Sequence, residues 1–246
     1  MSIAVVILAF NEEKHIAEAI QSAKFVTDEI LIIDSGSTDK TAEIAEQNGA
    51  RVVLREFDKD FSRQRNFALD QTKASWLLHL DADERISEDL AQSIKQAVSQ
   101  GEEKVYSFWR SNIVFGKKFK YGVFRPDKVK RLFPRNGGIW QGKVHESLKS
   151  DLPEAVLTGQ LIHYPYETWE QYFTKFNSYT SIWATDAFKK GKRTSIIGAL
   201  LHALFSFLKV TFINLGILDG LMGLVMCCFH FSYTLAKYIK LYKLQD

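Results

Sequence analysis

The chain has 246 residues, which is enough for one sizeable α/β domain with an appendage. Its apolar content of 46% and charged content of 25% are typical of a globular protein, and a net charge of +3 is too small to indicate a nucleic-acid partner. The only cysteines, Cys227 and Cys228, are adjacent, which excludes a disulfide framework or a four-cysteine zinc site and fits a reducing compartment.

The first hundred residues alternate between short apolar segments and segments with helical spacing. Apolar, β-branched segments predict buried strands at 3–10, 29–33, 51–54 and 76–80. Helices are predicted after them, one starting near Ile16, one at 39–48 capped by Thr38, one at 61–71 and one at 87–99 capped by Ser87. This alternation predicts an α/β fold with a doubly wound, mostly parallel sheet, which binds ligands beyond the carboxyl ends of its strands.

Polar side chains follow three of these strands, at Asn11, Asp34 and Asp81. If the fourth strand continues, its alternation points Asp81 and Asp83 the same way and Ala82 away. Two buried carboxylates repel each other and lose solvation, so we expect a divalent cation, Mg²⁺ or Mn²⁺, held jointly with substrate phosphates. The alternative is that Asp83 or Glu84 only caps the helix that follows.

The pattern changes after Gly101, where segments 104–110 and 129–134 alternate between apolar and polar residues as half-buried strands do. Glycines and aromatic residues between basic residues predict an acceptor-side wall of the same cleft, and nucleic acid is not expected. His145 and Glu146 offer a general base beside a second polar group, and the alternative is a solvated surface pair.

The last eighty residues are apolar and basic. Aromatic residues recur at helical spacing over 168–188, and three apolar runs follow at 196–208, 210–218 and 221–231. None of these runs reaches the ~18–20 uninterrupted apolar residues that a membrane span requires. We expect an element that lies on an anionic membrane surface, with a buried helical hairpin as the alternative, and a span starting near Leu215 stays open. The predicted domains are therefore 1–165 and 166–246.

Four segments in the first ninety residues form a specific combination of motifs. They are Ala9-Phe10-Asn11-Glu12-Glu13, Ile33-Asp34-Ser35-Gly36-Ser37-Thr38-Asp39-Lys40-Thr41, Arg63-Gln64-Arg65-Asn66 and Leu80-Asp81-Ala82-Asp83-Glu84. The chain resembles a family 2 glycosyltransferase of the GT-A fold. Residues 140–146 and the basic, apolar tail resemble the branch of lipopolysaccharide inner-core β-1,4-glucosyltransferases, which glucosylate the first heptose.

The resemblance implies roles for individual residues. Asp34 would bind the uracil–ribose part of a UDP-sugar, and Arg65, with Arg63 beside it, would face the diphosphate. Asp83, with Asp81 nearby, would hold the metal, and Glu146, or else His145, would be the base of an inverting transfer. The residues implied in nucleotide-sugar binding are Ala9, Phe10, Asn11, Glu13, Asp34, Gly36, Ser37, Arg63, Arg65, Asp81 and Ala82.

The resemblance also implies partners and a place in the cell. The donor would be a UDP-sugar, the acceptor a lipid-linked oligosaccharide of the lipopolysaccharide core, and the site of action the cytoplasmic face of the bacterial inner membrane. Two alternatives stay open, a polyprenyl-phosphate glycosyltransferase, which needs little base catalysis, and a non-catalytic sugar binder at the membrane surface. A sugar-1-phosphate nucleotidyltransferase is not expected, because Asn11-Glu12-Glu13 is no glycine-rich loop.

Overall fold

The structure is a computed structural model that describes residues 1–58, 60–142 and 146–245. The chain divides into two compact units. The first unit comprises Met1–Arg110 and Asp127–His163, and the second comprises Ser111–Pro126 and Tyr164–Asp246. The predicted domain boundary at residue 165 stays a prediction, and the structure assigns the segment 111–126 to the C-terminal part of the chain.

The strands are β1 (Ile3–Ala9), β2 (Ile30–Asp34), β3 (Arg51–Leu54), β4 (Trp76–Asp81), β5 (Glu84–Ile86), β6 (Val105–Val114), β7 (Lys117–Lys118), β8 (Asp127–Pro134), β9 (Ile139–Gln141), β10 (Ser147–Lys149) and β11 (Glu154–Tyr166). The helices are α1 (Ile16–Ala23), α2 (Thr41–Gln47), α3 (Phe61–Asp70), α4 (Glu88–Gln100), α5 (Trp169–Lys189), α6 (Ile196–Leu208) and α7 (Gly220–Lys243).

Within the described ranges, the main sheet has the order β3-β2-β1-β4-β8-β6-β11-β5, with β7 paired to β6. The strands β3, β2, β1 and β4 are parallel, and β8 adds to β4 in the antiparallel direction. A second, two-stranded sheet is formed by β9 and β10. The predicted α/β fold with a parallel core and apolar C-terminal helices is confirmed, and antiparallel strands extend it.

The central parallel strands β1, β2 and β4 are mostly apolar because helices cover both faces of the sheet. Every residue of β2 is buried, and α1 packs its buried stripe of Ile16, Ala19 and Ile20 against one face. The register pairs Ala9 with Asp34 and Leu8 with Asp81. The carboxyl ends of β2 and β4 therefore lie on either side of the end of β1.

Two local expectations about helix ends have different outcomes. Ser87 caps α4, where its side chain accepts a hydrogen bond from the N–H of Leu90, as predicted. Thr38 does not cap α2, because the helix begins only at Thr41 and the carboxylate of Asp39 accepts the Thr41 N–H instead. The prediction for Thr38 is therefore wrong.

The second unit contains the apolar helices. Helix α5 begins with a capping box formed by Thr168 and Gln171. Helix α6 continues through a wider turn at Lys209–Ile213, and a short helical turn at Gly216–Asp219 leads into α7. Two helical segments, Ile196–Ile213 and Gly216–Lys243, are long and apolar enough to cross a membrane. Lys209, which interrupts the apolar runs in the sequence, lies within the first of them.

Candidate active site

The turn that follows β2 is organised by the buried carboxylate of Asp34. Its Oδ2 accepts the backbone N–H groups of Gly36 at 3.2 Å and Ser37 at 3.0 Å, and its Oδ1 accepts the Ser37 hydroxyl at 2.5 Å. Gly36 has φ of +91°, a conformation that glycine adopts without steric cost. The sequence Asp-Ser-Gly-Ser thus forms a tight turn that keeps a carboxylate at the strand end.

The turn that follows β1 is hydrogen-bonded to the turn that follows β2. The N–H of Asn11 donates to Ser37 Oγ at 3.0 Å, and Asn11 Oδ1 accepts the N–H of Thr38 at 2.8 Å. The carboxylate of Glu13 accepts the N–H of Lys40 at 3.2 Å. These hydrogen bonds tie the two turns to each other beside Asp34, and the two turns carry the predicted nucleotide-binding residues Ala9, Phe10, Asn11, Glu13, Gly36 and Ser37.

A buried network of charges surrounds the end of β4. Asp81 Oδ1 accepts a hydrogen bond from Arg65 at 2.7 Å, and its Oδ2 accepts one from Arg131 at 2.5 Å. Arg131 also binds Glu84 Oε1 at 2.8 Å, and Arg110 binds the same oxygen at 3.1 Å. No functional role was predicted for Arg131 or Glu84. Arg131 lies at the irregularity in the pairing of β8 with β6, between Lys130, which pairs with Ser107, and Leu132, which pairs with Tyr106.

Asp81 and Arg131 hold each other ionised. Burial alone would raise the pKa of Asp81, but Arg131 and Arg65 outweigh burial and hold its pKa far below the usual range. Burial would lower the pKa of Arg131, but Asp81 and Glu84 raise it. Because the carboxylate oxygens of Asp81 both accept from guanidinium groups, they are engaged by the protein's own cations.

His79 lies on β4 two residues before Asp81 and is fully buried. Its ring stacks on Phe133 at 5.5 Å and meets Trp140 edge-on at 5.2 Å. Burial, followed by the nearby Arg65 and Arg131, holds the pKa of His79 well below its usual value, so the ring is neutral. His79 therefore packs beneath the ionic network and adds no charge to it.

Asp83 lies apart from Asp81. Strand β4 ends at Asp81, and Ala82 and Asp83 form a turn that leads into β5. The expectation that Asp81 and Asp83 share one face of a continuing strand is therefore wrong. Asp83 Oδ2 lies 3.4 Å from His163 Nε2 on β11 instead, and both side chains are partly exposed.

The described residues contain no group of three or more His, Cys, Asp or Glu side chains arranged to hold a metal ion. The pair of Asp83 and His163 supplies one carboxylate oxygen and one imidazole nitrogen. Mg²⁺ and Mn²⁺ commonly take one or two protein ligands and complete their shell with water and substrate phosphates. The pair fits such an ion. His163 was not predicted as a ligand, because its spacing from Asp83 in the sequence matches no pattern of metal ligands.

Arg65 links the network to Glu146. Its Nε donates to Glu146 Oε1 at 3.1 Å, and its guanidinium lies 4.8 Å from the ring of Trp140. Asn66 holds Trp140 by two hydrogen bonds of 2.9 Å, accepting the Trp140 N–H and donating to the Trp140 carbonyl. These contacts fix the start of the segment that ends at Glu146.

The two remaining predicted residues, Arg63 and His145, are not part of the ionic network of the described residues. Arg63 is largely exposed and pairs with Asp58 at 3.3 Å and Asp60 at 3.6 Å, away from the network. His145 lies outside the described residues. The structure thus brings Arg65, Asp81 and Glu146 into direct contact, places Asp83 in the adjoining turn, and separates Arg63 from them.

Comparison with known proteins shows the family to which the chain belongs. The model of the family described as Glycosyl transferase family 2 matches residues 4–146. An uncharacterized glycosyltransferase of Rickettsia felis is 30% identical over 253 residues, covering 98% of this chain and 88% of the relative. The lipopolysaccharide core biosynthesis glycosyltransferase LpsC of Rhizobium meliloti is 28% identical, covering 96% of this chain and 90% of the relative.

Among solved structures, a glucosyl-3-phosphoglycerate synthase from Mycobacterium tuberculosis with Mn²⁺, UDP and glucosyl-3-phosphoglycerate matches with 22% identity and a TM-score of 0.39. That match covers 55% of this chain and 57% of the other. The family match covers more than half of the sequence and contains the turns around Asp34 and Asp81. The chain is a glycosyltransferase and belongs to glycosyl transferase family 2.

Proposed function

We propose that this protein is an inverting, metal-dependent hexosyltransferase that moves glucose from a UDP-sugar to an inner-core heptose of lipopolysaccharide. The observation that carries the proposal is the placement of Asp34 and Asp81 at the ends of the two strands that flank β1, with Asp83 in the next turn. The similarity to LpsC supports the choice of a lipopolysaccharide acceptor.

The donor nucleotide would bind at the turns after β1 and β2. Asp34 Oδ2 accepts two backbone N–H groups and fixes the turn, whereas Oδ1 accepts the Ser37 hydroxyl and has a further lone pair for an N–H or O–H donor of uracil or ribose. Phe10 is exposed beside Asn11, where its ring is accessible to a base. The preformed turn lowers the ordering cost of binding.

The diphosphate would lie beside Asp83 and His163. We propose these two residues as the protein ligands of Mg²⁺ or Mn²⁺, with Asp81 acting from the adjoining network by holding Arg65 and Arg131. When bound, the cation offsets the negative charge that develops as UDP leaves. The predicted contact of Arg65 with the diphosphate stays a prediction.

The acceptor hydroxyl would react on the side of the sugar opposite to UDP. Its oxygen forms a bond to the anomeric carbon while the bond from that carbon to the phosphate oxygen breaks, and UDP keeps the electron pair. Glu146 takes the hydroxyl proton, held in place by Arg65. His145, the second predicted base, lies outside the described residues.

A UDP-release assay across a panel of UDP-sugars, with and without truncated core lipopolysaccharide, tests this function. We expect release that depends on both UDP-glucose and acceptor, and a large loss in Glu146→Gln. Release from no UDP-sugar with any acceptor would contradict the proposal. UDP binding without turnover, indifferent to Mg²⁺ or Mn²⁺, would identify a non-catalytic sugar binder.

A polyprenyl-phosphate acceptor is the second candidate. Arg65 already binds the carboxylate of Glu146, which is the proposed base. This contact favours a phosphate acceptor, because such an acceptor carries no proton that the carboxylate must remove. Near-normal turnover of Glu146→Gln with polyprenyl phosphate would establish this alternative.

The proposed acceptors are lipids, so the protein would act at a membrane. The two apolar helical segments of the second unit and the basic residues around them support peripheral association with the cytoplasmic face of the bacterial inner membrane.

A further inference from the structure

One side of the segment from Ile196 to Leu221 exposes an unusual amount of apolar surface. Large apolar side chains on this side are each at least 44% exposed. They are Ile196, Ile197, Leu200, Leu201, Leu204, Phe205, Leu208, Phe212, Ile213, Leu215, Ile217, Leu218 and Leu221. We call these residues the apolar face. Contiguous apolar patches of this kind mark sites of interaction, since water does not stabilise them.

The opposite side of the same segment is packed. Ala199 and Ala203 are fully buried, and small side chains allow α6 to approach α7 closely. Ser206 lies 3.2 Å from Thr234, and the ring of His202 stacks on Tyr238 at 4.2 Å. The segment therefore has one side committed to the fold and one side, the apolar face, directed outward.

The charges around the apolar face have one sign. Between Ala187 and Gln245 the sequence contains a single acid, Asp219, and eight basic residues. Asp219 is buried and accepts the N–H groups of Lys120 at 3.2 Å and Tyr121 at 2.8 Å, so it does not balance the surface charges. An anionic lipid surface complements this charge, whereas the same face of a second copy would bring like charges together.

The turn between α6 and α7 is tied to a charged loop. Gly122 packs so closely on Gly216 that an added Cβ would approach to 2.9 Å, and its N–H donates to the Asn214 carbonyl at 2.8 Å. Lys117 donates to the Asp219 carbonyl, and Lys120 lies in the same loop. Carrying these lysines across a bilayer would be costly. This contact favours a turn that stays on the near side of the membrane.

We infer that the apolar face inserts into one leaflet of an anionic membrane with the segment Ile196–Ile213 parallel to the surface, and that the chain does not cross the bilayer. The inference rests on the proposed membrane location but not on the proposed chemistry. Lys189, Lys190 and Arg193, next to the start of α6, would lie at the level of the lipid headgroups.

Flotation of the full chain with vesicles tests the binding. We expect binding to vesicles of phosphatidylcholine mixed with phosphatidylglycerol, and weaker binding to phosphatidylcholine alone. The double variant Leu201→Glu, Phe205→Glu should lower binding about tenfold or more. The matched control is Val156→Glu, which replaces a residue of the first unit that is 50% exposed and should leave binding unchanged.

Two results would overturn the inference. One is unchanged vesicle binding of the double variant. The other is that the unmodified chain does not bind vesicles but forms a dimer, measured by light scattering, and that the double variant does not form this dimer. Because both replaced side chains are more than 60% exposed, the variant should keep the native circular dichroism spectrum. Transfer to a soluble, truncated acceptor should also persist, which separates failure of the membrane inference from failure of the proposed reaction.

Depth measurements test the orientation. Single cysteines replace Ile197, Phe205 or Ile213 in a Cys227→Ser, Cys228→Ser background, each carries a fluorescent label, and nitroxide lipids of different depth quench it. A segment parallel to the surface gives similar depths at all three positions. A crossing segment spreads them over most of the ~27 Å length of 18 helical residues, which would overturn the inference.

Discussion

The two units depart from the usual distribution of polar and apolar side chains in opposite directions. The first unit buries charged groups, with Glu84 0%, Arg65 3% and Arg131 5% exposed, whereas the second exposes a continuous apolar face. Each departure costs free energy that ordinary packing would avoid. In the first unit the buried charges pair with one another beside the proposed catalytic residues, and in the second the apolar face is the proposed membrane contact. Both proposed functional regions therefore lie where the chain departs from the usual pattern.

The largest expected effect concerns the turn beside the buried charges. Asp83→Asn removes the carboxylate proposed to hold the cation and should lower transfer about a thousandfold or more, with an unchanged thermal unfolding midpoint. UDP release measured over a series of Mn²⁺ concentrations checks it. Asp28→Asn, which replaces an exposed aspartate two residues before β2, is the matched control. Retained activity in Asp83→Asn would contradict the metal assignment.

The buried network itself can be broken at Arg131. Arg131→Met leaves Asp81 and Glu84 without their shared partner and should lower the free energy of unfolding by about 3–5 kcal/mol, measured by urea denaturation. Arg63→Met removes an exposed arginine and should change it by less than about 1 kcal/mol. Equal effects of the two substitutions would show that burial of the network does not matter for stability.

A smaller effect is expected where Asn66 holds Trp140. Asn66→Ala removes both hydrogen bonds to the Trp140 backbone and should lower kcat about tenfold, because the segment leading to Glu146 loses its anchor. KM for the donor should stay unchanged, since the nucleotide is expected at the Asp34 turn. Asn66→Asp keeps the acceptor and should lose less. A rise in donor KM with constant kcat would argue against a positioning role.

Each basic residue near the apolar face should contribute a small part of the affinity for anionic vesicles. Replacing Lys189 and Lys190 by Gln should weaken binding to vesicles that contain phosphatidylglycerol by about fivefold for each lysine. Lys73→Gln, in the first unit, is the control. If the chain with both lysines replaced binds the vesicles as tightly as the unmodified chain, the apolar side chains alone account for the binding.

The smallest expected effect is a dependence of stability on pH. Because the pKa of Asp81 is depressed in the folded protein, its contribution to stability is fully present above the ordinary carboxyl pKa of about 3.9 and is lost as the pH falls below it. Asp81→Asn should therefore show a shallower fall in unfolding free energy between about pH 5 and pH 3. If the unfolding free energy of Asp81→Asn falls as steeply with pH as that of the unmodified chain, Asp81 does not contribute to the loss of stability in acid.

Local chemistry explains which features could be predicted from the sequence. The β-branched segments specify the parallel strands, and the turn at Asp34 depends on residues within three positions of it. Arg131 and His163 could not be found in this way, because they lie fifty and eighty residues from the carboxylates that they contact. Their places depend on the register of antiparallel strands, which a single sequence does not reveal.

The proposed insertion of the exposed side of α6 into a membrane would also have a kinetic consequence. On a lipid surface the enzyme would meet the proposed lipid-linked acceptor by diffusion in two dimensions, so its rate would follow the mole fraction of acceptor in the surface. Adding inert lipid at a constant amount of acceptor would then slow the reaction, although the bulk concentration of every reactant stays the same.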